Sequence, residues 1–250
     1  MKLSINVDHI ATLRNARGGN IPDPVEAALI CEKAGADGIV CHLREDRRHI
    51  KDDDVFKLRK SIQKKLDLEM AATEEIIGIA VKVKPDLVTL VPERRQELTT
   101  EGGLDIVNQK KYYESVIKKF HENGILVSLF VEPEIEQIKA SVEIGTDMVE
   151  LHTGHYAESK SEEELKNSLN KIEESAKLGK SLGIGVNAGH GLDYDNIIDI
   201  VRIKEIDEVS IGYAVIVRAM FVGLENAVSE MVRLVKGRSA INVTRADEEE

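Results

Sequence analysis

The feature that most constrains the fold is a join that recurs along the chain. A helical period ends, a glycine stands at or near its end, and a short apolar run follows at once. Ala34-Gly35-Ala36-Asp37-Gly38-Ile39-Val40 is one copy. Glu122-Asn123-Gly124-Ile125-Leu126-Val127, Ile144-Gly145-Thr146-Asp147-Met148-Val149 and Leu182-Gly183-Ile184-Gly185-Val186 repeat its logic. Glycine stops a helix because it adopts a left-handed conformation without a Cβ clash. The β-branched residues that follow pack well on a pleated surface. Completing the pattern predicts strands near residues 3–7, 38–42, 66–69, 87–91, 126–131, 148–152, 185–187 and 208–211. Helices are predicted near 24–34, 52–62, 74–83, 109–122, 133–143, 162–182, 194–203 and 216–235. Eight alternating strands and helices close most economically as a barrel, so the predicted class is α/β, a single (β/α)8 TIM barrel. The stretch 153–165 is long for a β-α connection and has room for an extra short helix.

No internal stretch is rich enough in Pro, Gly or Ser to divide the chain, so residues 1–240 are predicted to form one domain. The acidic end Arg245-Ala246-Asp247-Glu248-Glu249-Glu250 marks 241–250 as a disordered tail. A length of 250 residues with 42% hydrophobic residues suits one barrel with a large core. No apolar run is long enough to predict a transmembrane helix. The first acid, Asp8, comes too early for a signal peptide. Cys31 and Cys41 make neither a disulfide framework nor a metal-ligand spacing and are predicted to be small core residues. Together these point to a soluble protein in the reducing cytoplasm. A net charge of −11 argues against nucleic-acid binding. Arg14, Arg17, Arg44, Arg47, Arg48, Arg94 and Arg95 nevertheless cluster in three short stretches read as loops. Local arginines on an acidic protein suit small anions such as phosphate esters, and surface ion pairs are the alternative.

Chemistry-bearing residues gather where strands end. The run from Gly38 to Ile50 begins as a buried strand and turns, at about His42, into a charged stretch expected to face solvent. Asn6, Asp8 and His9 end the first strand, His42 and Arg44 the second, and Glu69 the third. Glu150 and His152 end the sixth, Asn187, Gly189, His190 and Gly191 the seventh, and Gly212 and Tyr213 the eighth. Of the seven histidines, only His121 falls in a predicted helix, as a surface residue. In a barrel of parallel strands this places chemistry at the C-terminal rim.

His42 and His190 are suited to moving protons near neutral pH. Glu69 rises from an apolar strand into the mouth, where partial desolvation should raise its pKa and fit it for acid or base work. An ion pair with a nearby lysine or arginine is the structural alternative. Gly189, Gly191 and Gly212 stand where barrels bind phosphate through backbone N–H groups. Arg17 and the loop around Arg44 and His49 offer a second anion site. Asp8 and His9 could equally cap a loop, and His152 and His155 could simply pack at the rim. The polar segment Pro92–Leu104 suits a mobile lid, or else an ordinary solvated loop.

Asn6-Val7-Asp8-His9-Ile10-Ala11-Thr12-Leu13-Arg14-Asn15-Ala16-Arg17 closely resembles the opening of the pyridoxine 5′-phosphate synthase family. His42-Leu43-Arg44-Glu45-Asp46-Arg47-Arg48-His49-Ile50, Asp67-Leu68-Glu69-Met70-Ala71, the Val91–Leu104 segment, Glu150-Leu151-His152-Thr153-Gly154 and Asn187-Ala188-Gly189-His190-Gly191-Leu192 match as well. The resemblance runs in order over residues 3 to 235. It implies a barrel with extra helices, in a symmetric homo-oligomer, an octamer, with no cofactor and no metal. The implied reaction condenses 1-deoxy-D-xylulose 5-phosphate with 3-amino-2-oxopropyl phosphate, giving pyridoxine 5′-phosphate, phosphate and water.

Carried over by matching motif, His42 and Glu69 would be proton acceptors, His190 a proton donor, and Glu150 a stabiliser of charged intermediates. Asp8, His9, Arg44, His49 and Thr99 would bind the deoxyxylulose phosphate. Asn6, Arg17, Gly191, Gly212 and Tyr213 would bind the amino ketone phosphate. Two departures stand out. Asp67 replaces the family's frequent asparagine, and Tyr213 its usual histidine, which would keep a backbone contact and lose an imidazole. Two rival readings remain: a metal-dependent hydrolase using Asp8, His42, His152 and His190, and a non-catalytic phosphometabolite-binding protein.

Overall fold

Alternate positions along each strand carry opposite chemistry, and this divides the interior in two. The computed structural model describes residues 1–93 and 102–237. Its strands are β1 (Lys2–Asn6), β2 (Gly38–His42), β3 (Lys65–Met70), β4 (Leu87–Leu90), β5 (Leu126–Val131), β6 (Met148–His152), β7 (Gly185–Gly189) and β8 (Glu208–Ile211). Each predicted strand is present, with its ends moved by two residues at most. All pairings are parallel between successive strands, and β8 returns to β1 through Leu3 opposite Val209 and Ser4 opposite Ser210, so the barrel closes.

One strand face packs outward against the helices and is apolar. Leu3 and Ile5, Leu66 and Leu68, Val127 and Leu129, and Val149 and Leu151 are all fully buried there. The other face lines the barrel axis and is unusually polar, with Ser4, Asp67, Thr89, Ser128, Glu150, Asn187 and Glu208 buried. Lys65 on β3 reaches Glu208 on β8 at 2.5 Å, and Ser4 donates to the same carboxylate oxygen at 2.7 Å. β3 and β8 are not neighbours, so the lysine contact crosses the barrel interior. Thr89 donates to Asp67 at 2.8 Å. Burial, and the nearby charge of Glu208, push Asp67 up to about 6, opposed by Lys65 and the Thr89 hydrogen bond.

The helices are α1 (Asp8–Arg17), α2 (Pro24–Lys33), α3 (Asp52–Ser61), α4 (Glu74–Val83), α5 (Ile106–His121), α6 (Ile135–Glu143), α7 (Gly154–Ala157), α8 (Glu162–Ser181), α9 (Ile197–Val201), α10 (Tyr213–Val222) and α11 (Leu224–Lys236). Their starts follow capping chemistry. Asp23 accepts from Val25 N ahead of Pro24, Thr73 from Ile76 N, and Ser161 from Glu164 N. The short α7 fills the long connection after β6. None of the described helices is long and apolar enough to cross a membrane. Cys31 and Cys41 are free and buried, as predicted.

Three expectations are corrected. The stretch after β1 is the helix α1, not a loop; Val7 and Ala11 are fully buried beneath it and Gly18 ends it at φ 65°. The predicted last helix is two, because Gly223 holds φ 82° and ψ 151°, a conformation open in practice only to glycine. The chain does not reach solvent at His42: His42, Leu43 and Arg44 are buried, and exposure begins at Glu45. The arginine clusters are largely committed to carboxylates. Arg14 makes a two-pronged bond to Asp54 at 2.7 and 2.8 Å, Arg47 meets Asp52 and Glu75, and Arg48 meets Asp46.

Candidate active site

At the C-terminal end of the barrel, β2 and β3 run side by side and bring His42 opposite Glu69. His42 Nδ1 lies 3.8 Å from Glu69 Oε2. Glu69 makes no lysine or arginine ion pair among the described residues; Asn6 Nδ2 approaches it at 3.5 Å. Burial, then the charges of Glu150, Asp8 and Asp67, push its carboxyl well above the usual range. Glu150, on β6, is raised as well, by burial and then by Asp67, with Lys65 opposing. Burial raises the proton affinity of the Glu69 carboxyl beside a histidine, which suits it to take and return protons.

The first β-α turn supports this pair. Asp8 N donates to Asn6 Oδ1 at 2.8 Å, and Asn6 Nδ2 donates to Asp8 Oδ2 at 2.9 Å. Asp8 Oδ1 accepts the peptide N–H of His42 at 2.8 Å, tying α1 to the end of β2. His49 Nδ1 accepts from Ile50 N at 2.9 Å and stands 3.9 Å from Asp8. With Nδ1 occupied as an acceptor, the neutral ring carries its proton on Nε2. Burial lowers the pKa of His49, despite the opposing charge of Asp8. Arg44 is buried close by.

Across the mouth, β7 ends in a strained turn. His190 holds φ 81° and Gly191 φ 74°, so a non-glycine residue sits in the left-handed region at a predicted site position. Thr153 Oγ1 reaches the carbonyls of Gly189 and His190 at 2.6 and 2.5 Å and pins the turn. The His190 and His152 rings meet edge to face, centroids 5.1 Å apart. Burial, then the charge of His152, lowers the pKa of His190. Gly212 precedes α10, and its open space is taken by Asn6, whose Cβ would lie 2.9 Å from an added methyl. Tyr213 is exposed and packs its ring edge to face on His9 at 5.3 Å.

Two acids that the sequence places just past strand ends, without a role, take part in the site. Glu93, just past β4, is hydrogen-bonded to His42 Nε2 at 2.8 Å. Glu132, just past β5, holds His152 Nδ1 at 2.8 Å and accepts from Gly103 N at 2.9 Å. Burial would raise both carboxyls, but bonds to a histidine and to a peptide N–H hold each below the usual range. The only signal in the sequence was that each follows a strand end. Arg17 is not brought to this group: it is exposed at the far end of α1, about 13 Å along the helix axis from Asp8. Thr99, most of the predicted lid and the acidic tail lie outside the described residues. Asp8, His42 and Glu69, and separately Glu132, His152 and His155, bring three donor atoms each within 4.8 Å, close enough for a metal ion. In both groups hydrogen bonds already engage most of those donors.

The chain matches the family described as pyridoxal phosphate biosynthesis protein PdxJ over residues 3–237. Pyridoxine 5′-phosphate synthase from Chloroherpeton thalassium is 56% identical over 236 residues, covering 94% of this chain and all of the relative. Its counterpart from Geobacter sulfurreducens is 54% identical, covering 94% and 98%. Among solved structures, phosphoribosyl anthranilate isomerase from Thermus thermophilus superposes with a TM-score of 0.61 at 12% identity, covering 96% of this chain and all of that one. Thiamine phosphate pyrophosphorylase from Pyrococcus furiosus gives 0.61 at 16% identity, covering 94% and 96%. These two share the barrel. The rim of acids and imidazoles described above is therefore carried by a chain that belongs to the PdxJ family of pyridoxal phosphate biosynthesis proteins.

Proposed function

We propose that the chain joins 1-deoxy-D-xylulose 5-phosphate and 3-amino-2-oxopropyl phosphate into pyridoxine 5′-phosphate by acid–base chemistry at this rim. The activity is that of its family, pyridoxine 5′-phosphate synthesis. The observation that carries the residue assignment is the placement of His42 against Glu69, with Glu150 electrostatically linked to Glu69.

Imine formation, loss of phosphate, dehydration and ring closure each need a proton moved at a defined atom. His42 and Glu69 accept protons from the condensing carbons and nitrogen. Glu150, buried on the inner face of β6, answers charge that develops in the intermediates. His190 donates. Its depressed pKa leaves it neutral in the empty site, and an arriving phosphate dianion raises it into the range where an imidazolium can act. Asp8, His9, Arg44, His49 and Thr99 hold the deoxyxylulose phosphate. Asn6, Gly191, Gly212 and Tyr213 hold the amino ketone phosphate, the glycines through backbone N–H groups; Arg17, exposed at the far end of α1, is left out of this set. Tyr213 contributes through its backbone and through the His9 ring it packs on.

The working form is a symmetric homo-oligomer, an octamer. The exposed Met220 and Phe221 on α10, with Leu13 on α1 packed beside it, support such an assembly. Two buried reduced thiols suit a cytoplasmic enzyme. The test is to mix the protein with both substrates, add no cofactor, and follow ultraviolet absorbance. A pyridine chromophore is expected, slowed by Glu69→Gln on the order of 100-fold or more. Sound protein and substrates that yield no chromophore overturn the reading.

A further inference from the structure

We propose that Glu93 is a positioning residue that fixes the proton of His42 on Nε2 and so turns the Nδ1 lone pair toward the reacting atoms. The inference rests on the reading of His42 as a proton acceptor.

Glu93 and His42 are both nearly closed to solvent, with side chains 5% and 6% exposed. Glu93 Oε1 lies 2.8 Å from His42 Nε2 and also accepts from Ala71 N at 3.2 Å. Its other oxygen accepts from Glu45 N at 3.0 Å. The carboxylate is thus gripped by the chain leaving β2 and the chain leaving β3. An ionised carboxylate has only acceptors to offer, so the imidazole must donate through Nε2. A neutral imidazole has one N–H, which leaves Nδ1 as the base. Nδ1 is the nitrogen that faces Glu69 Oε2, at 3.8 Å. The remaining groups around the ring do not compete for Nε2. Asp8 takes the backbone N–H of His42 and His49 packs against the ring, centroids 5.9 Å apart. Glu93 behind the ring and Glu69 before it give His42 a defined back and front.

Glutamine replaces Glu93 only in part. Both carboxylate oxygens accept, and an amide has a single accepting oxygen. Its oxygen is expected to keep the side that serves His42 Nε2 and Ala71 N, which leaves its NH2 against Glu45 N and loosens the grip on the chain leaving β2.

The experiment combines kinetics with the imidazole 15N signature. Protein carrying ring-15N histidine is examined by magic-angle-spinning NMR at a pH where the imidazole is neutral, and His42 is identified by the signals lost in His42→Asn. The wild type is expected to show the Nε2–H tautomer. Glu93→Ala is expected to shift it toward Nδ1–H and to lower kcat on the order of 100-fold, with KM little changed, and Glu93→Gln to keep the Nε2–H tautomer with a smaller loss of kcat. An Nδ1–H tautomer in the wild type overturns the proposal, and that measurement stands even if neither variant folds. An unchanged tautomer and kcat in Glu93→Ala, while His42→Asn is inactive, overturns the role of Glu93 alone. Full activity in His42→Asn overturns the reading of His42, and the role of Glu93 with it.

Discussion

A methyl group on residue 189 would lie 2.2 Å from Glu150 Oε1, so Gly189 is what lets the Glu150 carboxylate sit against β7. The same methyl would come within 3.4 Å of the Ser210 carbonyl on the other side. Gly189→Ala therefore displaces Glu150 rather than the sheet. The expected outcome is a fall in kcat of about tenfold or more, with an unchanged circular dichroism spectrum. A variant with full activity would show that the position of this carboxylate does not matter.

Glu150 also makes stability depend on pH. Its folded pKa is raised to about 8, against about 4.3 when unfolded. A raised acid favours the folded state fully below the unfolded value, and this contribution is lost as pH rises toward and through the folded value. Glu150→Gln removes the titration. Its Tm is expected to match the wild type near pH 4 and to exceed it clearly near pH 8, since each unit that separates the two values is worth about 1.4 kcal/mol. Equal Tm differences at the two pH values would count against the raised pKa.

Arg14 and Asp54 are both about 7% exposed and joined by two bonds. Removing one partner strands a buried charge. Arg14→Ala is expected to destabilise the protein by about 3–5 kcal/mol in urea unfolding. The guanidinium also holds the His49 carbonyl at 3.2 Å, so the loop that carries His49 should loosen and substrate KM should rise.

The apolar surface of α10 offers a test of assembly. Phe221 and Met220 are 80% and 75% exposed. Phe221→Glu together with Met220→Lys is expected to lower the sedimentation mass. An unchanged mass would place the subunit contact elsewhere.

β2, β5, β6 and β7 were legible because each is a short apolar run behind a glycine-marked helix end, the other strands because short apolar runs completed the alternation, and strand ends dictate the rim. The rim placement of His42, Glu69 and Glu150 followed from position; a role for Glu150 came only from the family resemblance. Helix α1 was not legible, since its stretch is polar and only Val7 and Ala11 anchor it in the core. Glu93 and Glu132 were placed after their strands but given no role, for a different reason. Their partners, His42 and Ala71 for one and His152 and Gly103 for the other, come from other strands and loops, and a chain read in order does not show which side chains meet. The pairing of Arg14 with Asp54, forty positions apart, was hidden in the same way.

The polar lining of the barrel separates two tasks that most proteins ask of one core. Cohesion comes from the oily layer between strands and helices, while the axis carries Asp67, Glu150, Glu208 and Lys65. Substitutions along that axis retune proton affinity without thinning the layer that holds the strands in place. A lineage with this arrangement can change reactivity without redrawing shape as long as each buried charge keeps a partner, because inheritance of shape and inheritance of reactivity are written on opposite sides of the same eight strands.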